Sequence, residues 1–408
     1  MPDLTRRLAL PVLMTLGSVL AQSAPNTLVS SSPAGVYTPA AVSSAGRALY
    51  ARVNEPAPRY TVRRYEMRVR STDEQGRPIT VRAQIFVPDV PKATKLPVYV
   101  LGAGTTGLAD NCSPFDERPE QQSWGWYQGH MLSYAAQGFI GVMPDYANFE
   151  DGTKLQPYFV SASEAPILLD AARAAYRFFQ GTGKSLKAQP AQAVFFSGYS
   201  QGGHSSFAAA DLASKYAPEL PVRGVVAFGA TTNVEVLWKE NAAFAPYAVA
   251  AYADYYGTKR VDPAKILLPR VASGLDRNAR SRCIGDLYEM YGKRPRDVFR
   301  PEFLQALVGN TLSQKYPEVA KVLAANSSGL SPSAAKIPAF VAQGTADDIV
   351  TATAQRVFVQ KLCGLKRPVT YREYIGINHY QTRQVAMNDA MTWMRGVAAG
   401  QPVLSTCR

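Results

Sequence analysis

Residues 193–210 read Ala193-Val194-Phe195-Phe196-Ser197-Gly198-Tyr199-Ser200-Gln201-Gly202-Gly203-His204-Ser205-Ser206-Phe207-Ala208-Ala209-Ala210. An unbroken apolar run leads in, as expected of a strand buried on both faces. A helical pattern, Ser205–Tyr216, leads out. Between them Gly198-Tyr199-Ser200-Gln201-Gly202 matches G-x-S-x-G, and a strand–turn–helix setting is what turns that pattern into a sharp turn presenting a nucleophilic serine. Such a turn strains the serine backbone and crowds the residues two positions away, so Gly198 and Gly202 answer a steric need. The helix start directs backbone N–H groups and a positive dipole end at the same place.

Outward from this turn, similar apolar runs recur at Val98–Leu101, Phe139–Met143, Val225–Phe228, Ala339–Ala342 and Val369–Tyr374. Helical patterns at Ser161–Phe179 and Ala352–Leu362 fall between some of them, with Ser161-x-x-Glu164 resembling a capping box. Strands alternating with helices predict an α/β fold, a mostly parallel sheet covered on both faces. Thr61–Arg70 and Ile79–Val87, joined through Asp73-Glu74-Gln75-Gly76, predict a β-hairpin at its start. Residues 231–335 break the rhythm with helical signals only, and are expected to form a helical cap inserted into a core of 46–230 and 336–408. Aromatic residues there, and Trp124-Gly125-Trp126-Tyr127, suit either a cleft or a core.

A serine hydroxyl needs a base beside it, and the chain has three histidines. His204 lies four residues after Ser200 on the same helix, which should carry its imidazole away. His130 precedes the serine, against the chain order serine, acid, histidine of this elbow. His379, in a loop after the last predicted strand, is the remaining base. The acid should follow Ala339–Ala342, where Asp347 and Asp348 both stand; Asp347 is preferred, three residues before Val350. An oxyanion hole takes two backbone N–H groups: Gln201, next after the nucleophile, and Thr105 in the loop Gly102-Ala103-Gly104-Thr105-Thr106-Gly107.

The N-terminus has Arg6 and Arg7 before an apolar stretch, Leu8–Leu20, that ends in small residues. This is read as a secretory signal peptide over residues 1–21, cut near Ala21, for an extracellular or periplasmic protein. Residues 22–45, rich in Ser, Ala and Pro, are read as a flexible lead-in. Cys112, Cys283, Cys363 and Cys407 form no C-x-x-C pair, which argues against a zinc or redox site and for two disulfides of open pairing. No metal or cofactor is expected. A net charge of +13 is scattered, with no cluster denser than Lys293-Arg294-Pro295-Arg296. A nucleic-acid partner would need a concentrated basic face. No later apolar run reaches the length of a membrane span.

The chain resembles the secretory (LIP-type) lipases and their bacterial α/β-hydrolase relatives, similar to the fungal lipase A group. The resemblance runs from about Gly46 to near the C-terminus. It rests on Arg70-Ser71-Thr72-Asp73 with Gly76-Arg77-Pro78, Gly104-Thr105-Thr106-Gly107 followed by Ala109-Asp110-Asn111-Cys112, and Pro144-Asp145-Tyr146. Pro157-Tyr158, Ser163-Glu164, the elbow, Asp347-Asp348-Ile349-Val350 and His379 complete it. It implies a cap over an acyl-binding cleft, no cofactor, hydrolysis of ester or lipid substrates with transient contact at a lipid interface, and the pairings Cys112–Cys283 and Cys363–Cys407. One departure stands out: Ala103 replaces the histidine of the His-Gly-Thr-Thr-Gly of many bacterial relatives. The same triad and fold also cleave amides, and the scaffold also serves as a silent binding protein. The latter usually lacks a triad member.

Overall fold

The computed structural model describes residues 26–407 apart from Arg52, Asn54, Glu74 and 118–123. The signal-peptide reading therefore lies outside the described residues. The strands are β1 (Leu28–Tyr37), β2 (Val62–Thr72), β3 (Pro78–Pro88), β4 (Thr94–Gly102), β5 (Ile140–Pro144), β6 (Ala188–Tyr199), β7 (Val222–Phe228), β8 (Ala339–Gly344) and β9 (Val369–Tyr374). They form one sheet in the order β1-β2-β3-β5-β4-β6-β7-β8-β9. The expected hairpin is there, with Val62 opposite Pro88 and Thr72 opposite Pro78. From β5 onward every pairing is parallel. The protein is an α/β structure with a mostly parallel sheet.

β7 explains the apolar runs. Val226 and Phe228 pack into the cluster on one face of the sheet, while Val225 and Ala227 join the cluster on the other. A strand covered on both faces has no polar alternation to show. Helices α1 (Pro39–Gly46), α2 (Tyr127–Ala136), α3 (Ser161–Gln180) and α4 (Gln201–Tyr216) follow in chain order. Between β7 and β8 the chain runs through helices from Val234–Glu240 to Pro317–Ala325. These pack around their own apolar cluster, which takes in Trp238, Tyr247 and Tyr252 together with Tyr158, Phe159 and Ile349 from outside the segment.

Two expectations need correction. Leu28–Tyr37, inside the supposed flexible lead-in, is a strand paired antiparallel with β2. It is an edge strand whose Ser-rich sequence shows no apolar face, and its register slips between Pro33 and Gly35. The capping box at Ser161 is also absent: Val160 is the N-cap, with no side-chain cap bond. Glu164 is drawn instead into a buried tertiary contact, described below.

Candidate active site

β6 delivers Ser200 to the turn before α4, with φ 55° and ψ −115°, a conformation a non-glycine residue keeps only where its surroundings impose it. The surroundings are backbone. A Cβ on Gly198 would stand 1.8 Å from the Gly202 carbonyl oxygen, and one on Gly202 would stand 1.9 Å from that of Gly102. The Ser200 N–H donates to the Phe228 carbonyl (3.1 Å), and its carbonyl accepts from Thr231 N–H (3.2 Å). The turn is thus pinned to the end of β7. Ser200 is 6% exposed and lines a cavity of about 210 Å³ with His379, Thr105, Trp124, Tyr288 and Tyr380.

His379 Nδ1 lies 2.7 Å from Asp347 Oδ2. The Asp347 carboxylate also accepts from the N–H groups of Ile349 (3.0 Å) and Val350 (2.9 Å) and from Gln343 Nε2 (3.1 Å). Surrounded by donors, it leaves Nδ1 to donate as well, so the Nε2 lone pair is the free one. Asn378 sets the ring's entry by capping the short helix His379–Gln381 reciprocally with Gln381. Tyr199 packs on the imidazole with ring centroids 4.9 Å apart. The Arg383 guanidinium lies over Tyr199 at 4.8 Å. Of the two candidate acids only Asp347 meets the histidine. Asp348 turns outward to Lys293 Nζ at 2.7 Å, and that hydrogen bond holds its carboxyl below the usual range.

The other two histidines do not line the Ser200 cavity. His204 is buried, with Nδ1 2.7 Å from Glu164 Oε2 and Nε2 2.7 Å from the Asn326 carbonyl oxygen. A carbonyl only accepts, so Nε2 is the donor there, and Ser161 Oγ lies 3.2 Å from the same nitrogen. Glu164 Oε1 accepts from Gln201 Nε2 (2.7 Å) and from Phe159 N–H (3.1 Å). Glu164 therefore ties the start of α3 to the first turn of α4. The sequence offered a signal for it: a lone carboxylate before Ala165-Pro166-Ile167-Leu168-Leu169, where no face is polar. His130 Nε2 accepts from Tyr99 Oη at 2.7 Å, the tyrosine oxygen being occupied by Ser197 Oγ (3.0 Å). Burial, with Arg383 adding to it, holds His130 well below the ordinary histidine range.

Thr105 reaches the cavity, its Oγ1 2.8 Å from Tyr158 Oη. Its loop, where Ala103 stands in for histidine, is held by Tyr146 Oη donating to the Ala103 carbonyl (2.8 Å). The aromatic stretch divides: Trp124 lines the cavity and Tyr127 is core. Sequence reasoning missed Glu117, whose carboxylate accepts from four consecutive N–H groups, Trp124 to Tyr127, at 2.5–3.0 Å. Disulfides join Cys112 to Cys283 and Cys363 to Cys407. Ile284 and Gly285, next to Cys283, are cavity wall. No helix among the described residues is long and apolar enough to cross a membrane, and no group of three His, Cys, Asp or Glu side chains there is arranged to hold a metal ion.

A mostly parallel sheet with a strand–serine–helix turn at its centre, and a histidine and an aspartate on loops after its last strands, defines an α/β-hydrolase. The model of the secretory lipase family matches residues 129–406, and the chain belongs to that family, an ester hydrolase by family. The rice cell wall degrading esterase LipA of Xanthomonas oryzae superposes with a TM-score of 0.68 at 19% identity, over 91% of this chain and 96% of that one. Lipase A of Candida antarctica in its closed state gives 0.64 at 17% identity, over 92% and 83%. A protein from Legionella pneumophila gives 0.74 at 16% identity, over 91% and 98%. At these identities the likeness is one of fold. No curated protein matches the chain by sequence.

Proposed function

We propose that the chain is a secreted serine esterase that forms an acyl-enzyme on Ser200. The observation that carries this reading is that Ser200, on its strained turn, shares one cavity with His379, whose Nδ1 is held 2.7 Å from the buried Asp347. His379 takes the hydroxyl proton as Ser200 attacks the ester carbonyl, while Asp347 fixes the tautomer and stabilises the imidazolium. The oxyanion is met by the N–H of Gln201, which as the first residue of α4 has no intrahelical partner, and by that of Thr105. His379 then protonates the leaving alcohol. Water, deprotonated by the same imidazole, releases the acid from Ser200.

The helices between β7 and β8 are read as a cap, because Phe244, Ile284 and Tyr288 from that segment wall the Ser200 cavity. Export is supported by the two disulfides and by the family's secretory character, with residues 1–21 as the leader. The test is Ser200→Ala assayed on p-nitrophenyl esters. Turnover should fall by about 10⁶-fold, with loss of labelling by a fluorophosphonate probe. Near-full turnover in that variant would falsify the assignment. Matched amide substrates should be cleaved far more slowly.

A further inference from the structure

Thr105 and Tyr158 join two hydroxyls in a single hydrogen bond, Oγ1 to Oη at 2.8 Å. Among the described residues neither oxygen has a second partner. Their surroundings differ. Tyr158 is fully buried, its ring set in the apolar cluster of the helices between β7 and β8, with the Phe159 ring 4.1 Å away. Thr105 borders the Ser200 cavity, and Tyr158 does not.

Two hydroxyls carry two protons, and the bond between them uses one. Were Thr105 the donor, the phenol proton would be sealed among apolar groups with no acceptor, which is the costly arrangement. Burial also holds the Tyr158 phenol well above its ordinary range, so that proton is kept. Tyr158 is therefore the donor, and the Thr105 proton is the one left over. The cavity is the side on which Thr105 is open.

The loop stands where such a proton is useful. β4 and β6 are neighbouring parallel strands with Gly102 opposite Gly198. Thr105, three residues beyond Gly102, and Ser200, two beyond Gly198, thus leave the same end of the sheet side by side. A Cβ on Gly104 would stand 3.0 Å from the Tyr199 carbonyl oxygen and 2.7 Å from the Tyr199 ring. The loop backbone lies directly on the serine turn.

We infer that the Thr105 hydroxyl is a third donor to the oxyanion, with Tyr158 as the positioning residue that aligns it. The inference rests on the acyl-enzyme reading of Ser200, since the tetrahedral intermediate is what brings negative charge to this place. As the Ser200 oxygen bonds to the carbonyl carbon, the C=O electron pair moves to oxygen. The Thr105 O–H then meets a full negative charge and keeps its proton. Tyr158, donating to Thr105 Oγ1, polarises that hydroxyl and makes it a better donor. The core of the helical segment is thereby connected to the oxyanion hole.

The experiment is steady-state kinetics on p-nitrophenyl butyrate, with urea unfolding of each variant. Thr105→Val keeps the backbone N–H and the side-chain shape and removes the hydroxyl. Its kcat should fall by about 10²-fold, with KM within about twofold. Thr105→Ser should recover most of the loss. Tyr158→Phe leaves the Thr105 proton but not its alignment, and should cost about threefold in kcat. The double variant separates catalysis from folding. Thr105→Val strands the phenol and lowers the unfolding midpoint; adding Tyr158→Phe should restore the midpoint while kcat stays low. The third donor is overturned if Thr105→Val keeps kcat within about threefold, or if Thr105→Ser is as slow as Thr105→Val. It is equally overturned if kcat returns with the midpoint in the double variant. Ser200→Ala on the same ester keeps the two readings apart. Near-full turnover there sinks the acyl-enzyme, whereas its loss beside a fully active Thr105→Val sinks the third donor alone.

Discussion

Two histidine–carboxylate pairs flank Ser200, and their near sides are alike. His379 meets Asp347, and His204 meets Glu164, each through Nδ1 at 2.7 Å and each buried. The far nitrogen separates them. Nε2 of His204 is spent on the Asn326 carbonyl, whereas His379 reaches the cavity that Ser200 lines. A carboxylate behind an imidazole is therefore no mark of a catalytic base; what stands at the other nitrogen decides. On the proposed mechanism one pair moves a proton and the other only ties α3 to α4.

The largest way to test that contrast is His379→Ala, expected to cut ester turnover by about 10⁶-fold with the fold retained. Equal loss in a His204 variant, at equal folded fraction, would erase the distinction. Asp347→Asn comes next: about 10⁴-fold in kcat, because the amide no longer fixes the productive tautomer. Asp348→Asn should leave turnover unchanged and cost at most about 0–1 kcal/mol, since its partner Lys293 is half exposed. Steady-state kinetics on both aspartate variants separates the two acids.

His204→Gln inverts the pattern. It leaves Glu164 buried without its partner, a loss on the order of 3–5 kcal/mol, read from urea unfolding. Folded molecules, counted by fluorophosphonate titration, should still turn over ester. The third histidine, with no carboxylate at all, gives the smallest effect. Burial lowers the His130 pKa in the folded chain, so below about pH 6.5 the unfolded chain binds a proton that the folded one refuses. Stability is then fully present above that pH and declines on acidification, by up to about 1.4 kcal/mol per pH unit. His130→Gln should remove that part of the acid slope in unfolding curves taken between pH 4.5 and 7.

The same contrast marks what was legible in the sequence. The strand–turn–helix at Ser200 could be read because local pattern constrains it, and β7 because burial on both faces strips a strand of polar residues. Glu164 lay in plain view and its role did not. The pattern of Ser161 and Glu164 fits a capping box, and only the arrival of α4 turns the carboxylate inward to His204 and Gln201. β1 escaped for the opposite reason. An edge strand needs no continuous apolar face, so Leu28–Tyr37 resembles the linker around it. Asp347 and Asp348 are adjacent in a loop without periodicity, so only the spacing to Val350 favours Asp347, and it is the Val350 N–H that donates to its carboxylate (2.9 Å).

The Cys112–Cys283 bond has a mechanical consequence. Gly107 bridges Cys283 backbone to backbone, and Ile284 N–H donates to the Thr106 carbonyl (2.8 Å). Riveted three ways, the Thr105 loop and the Ile284–Gly285 wall travel as one piece. A swing of the helical segment cannot uncover Ser200 from that side without dragging the Thr105 N–H along.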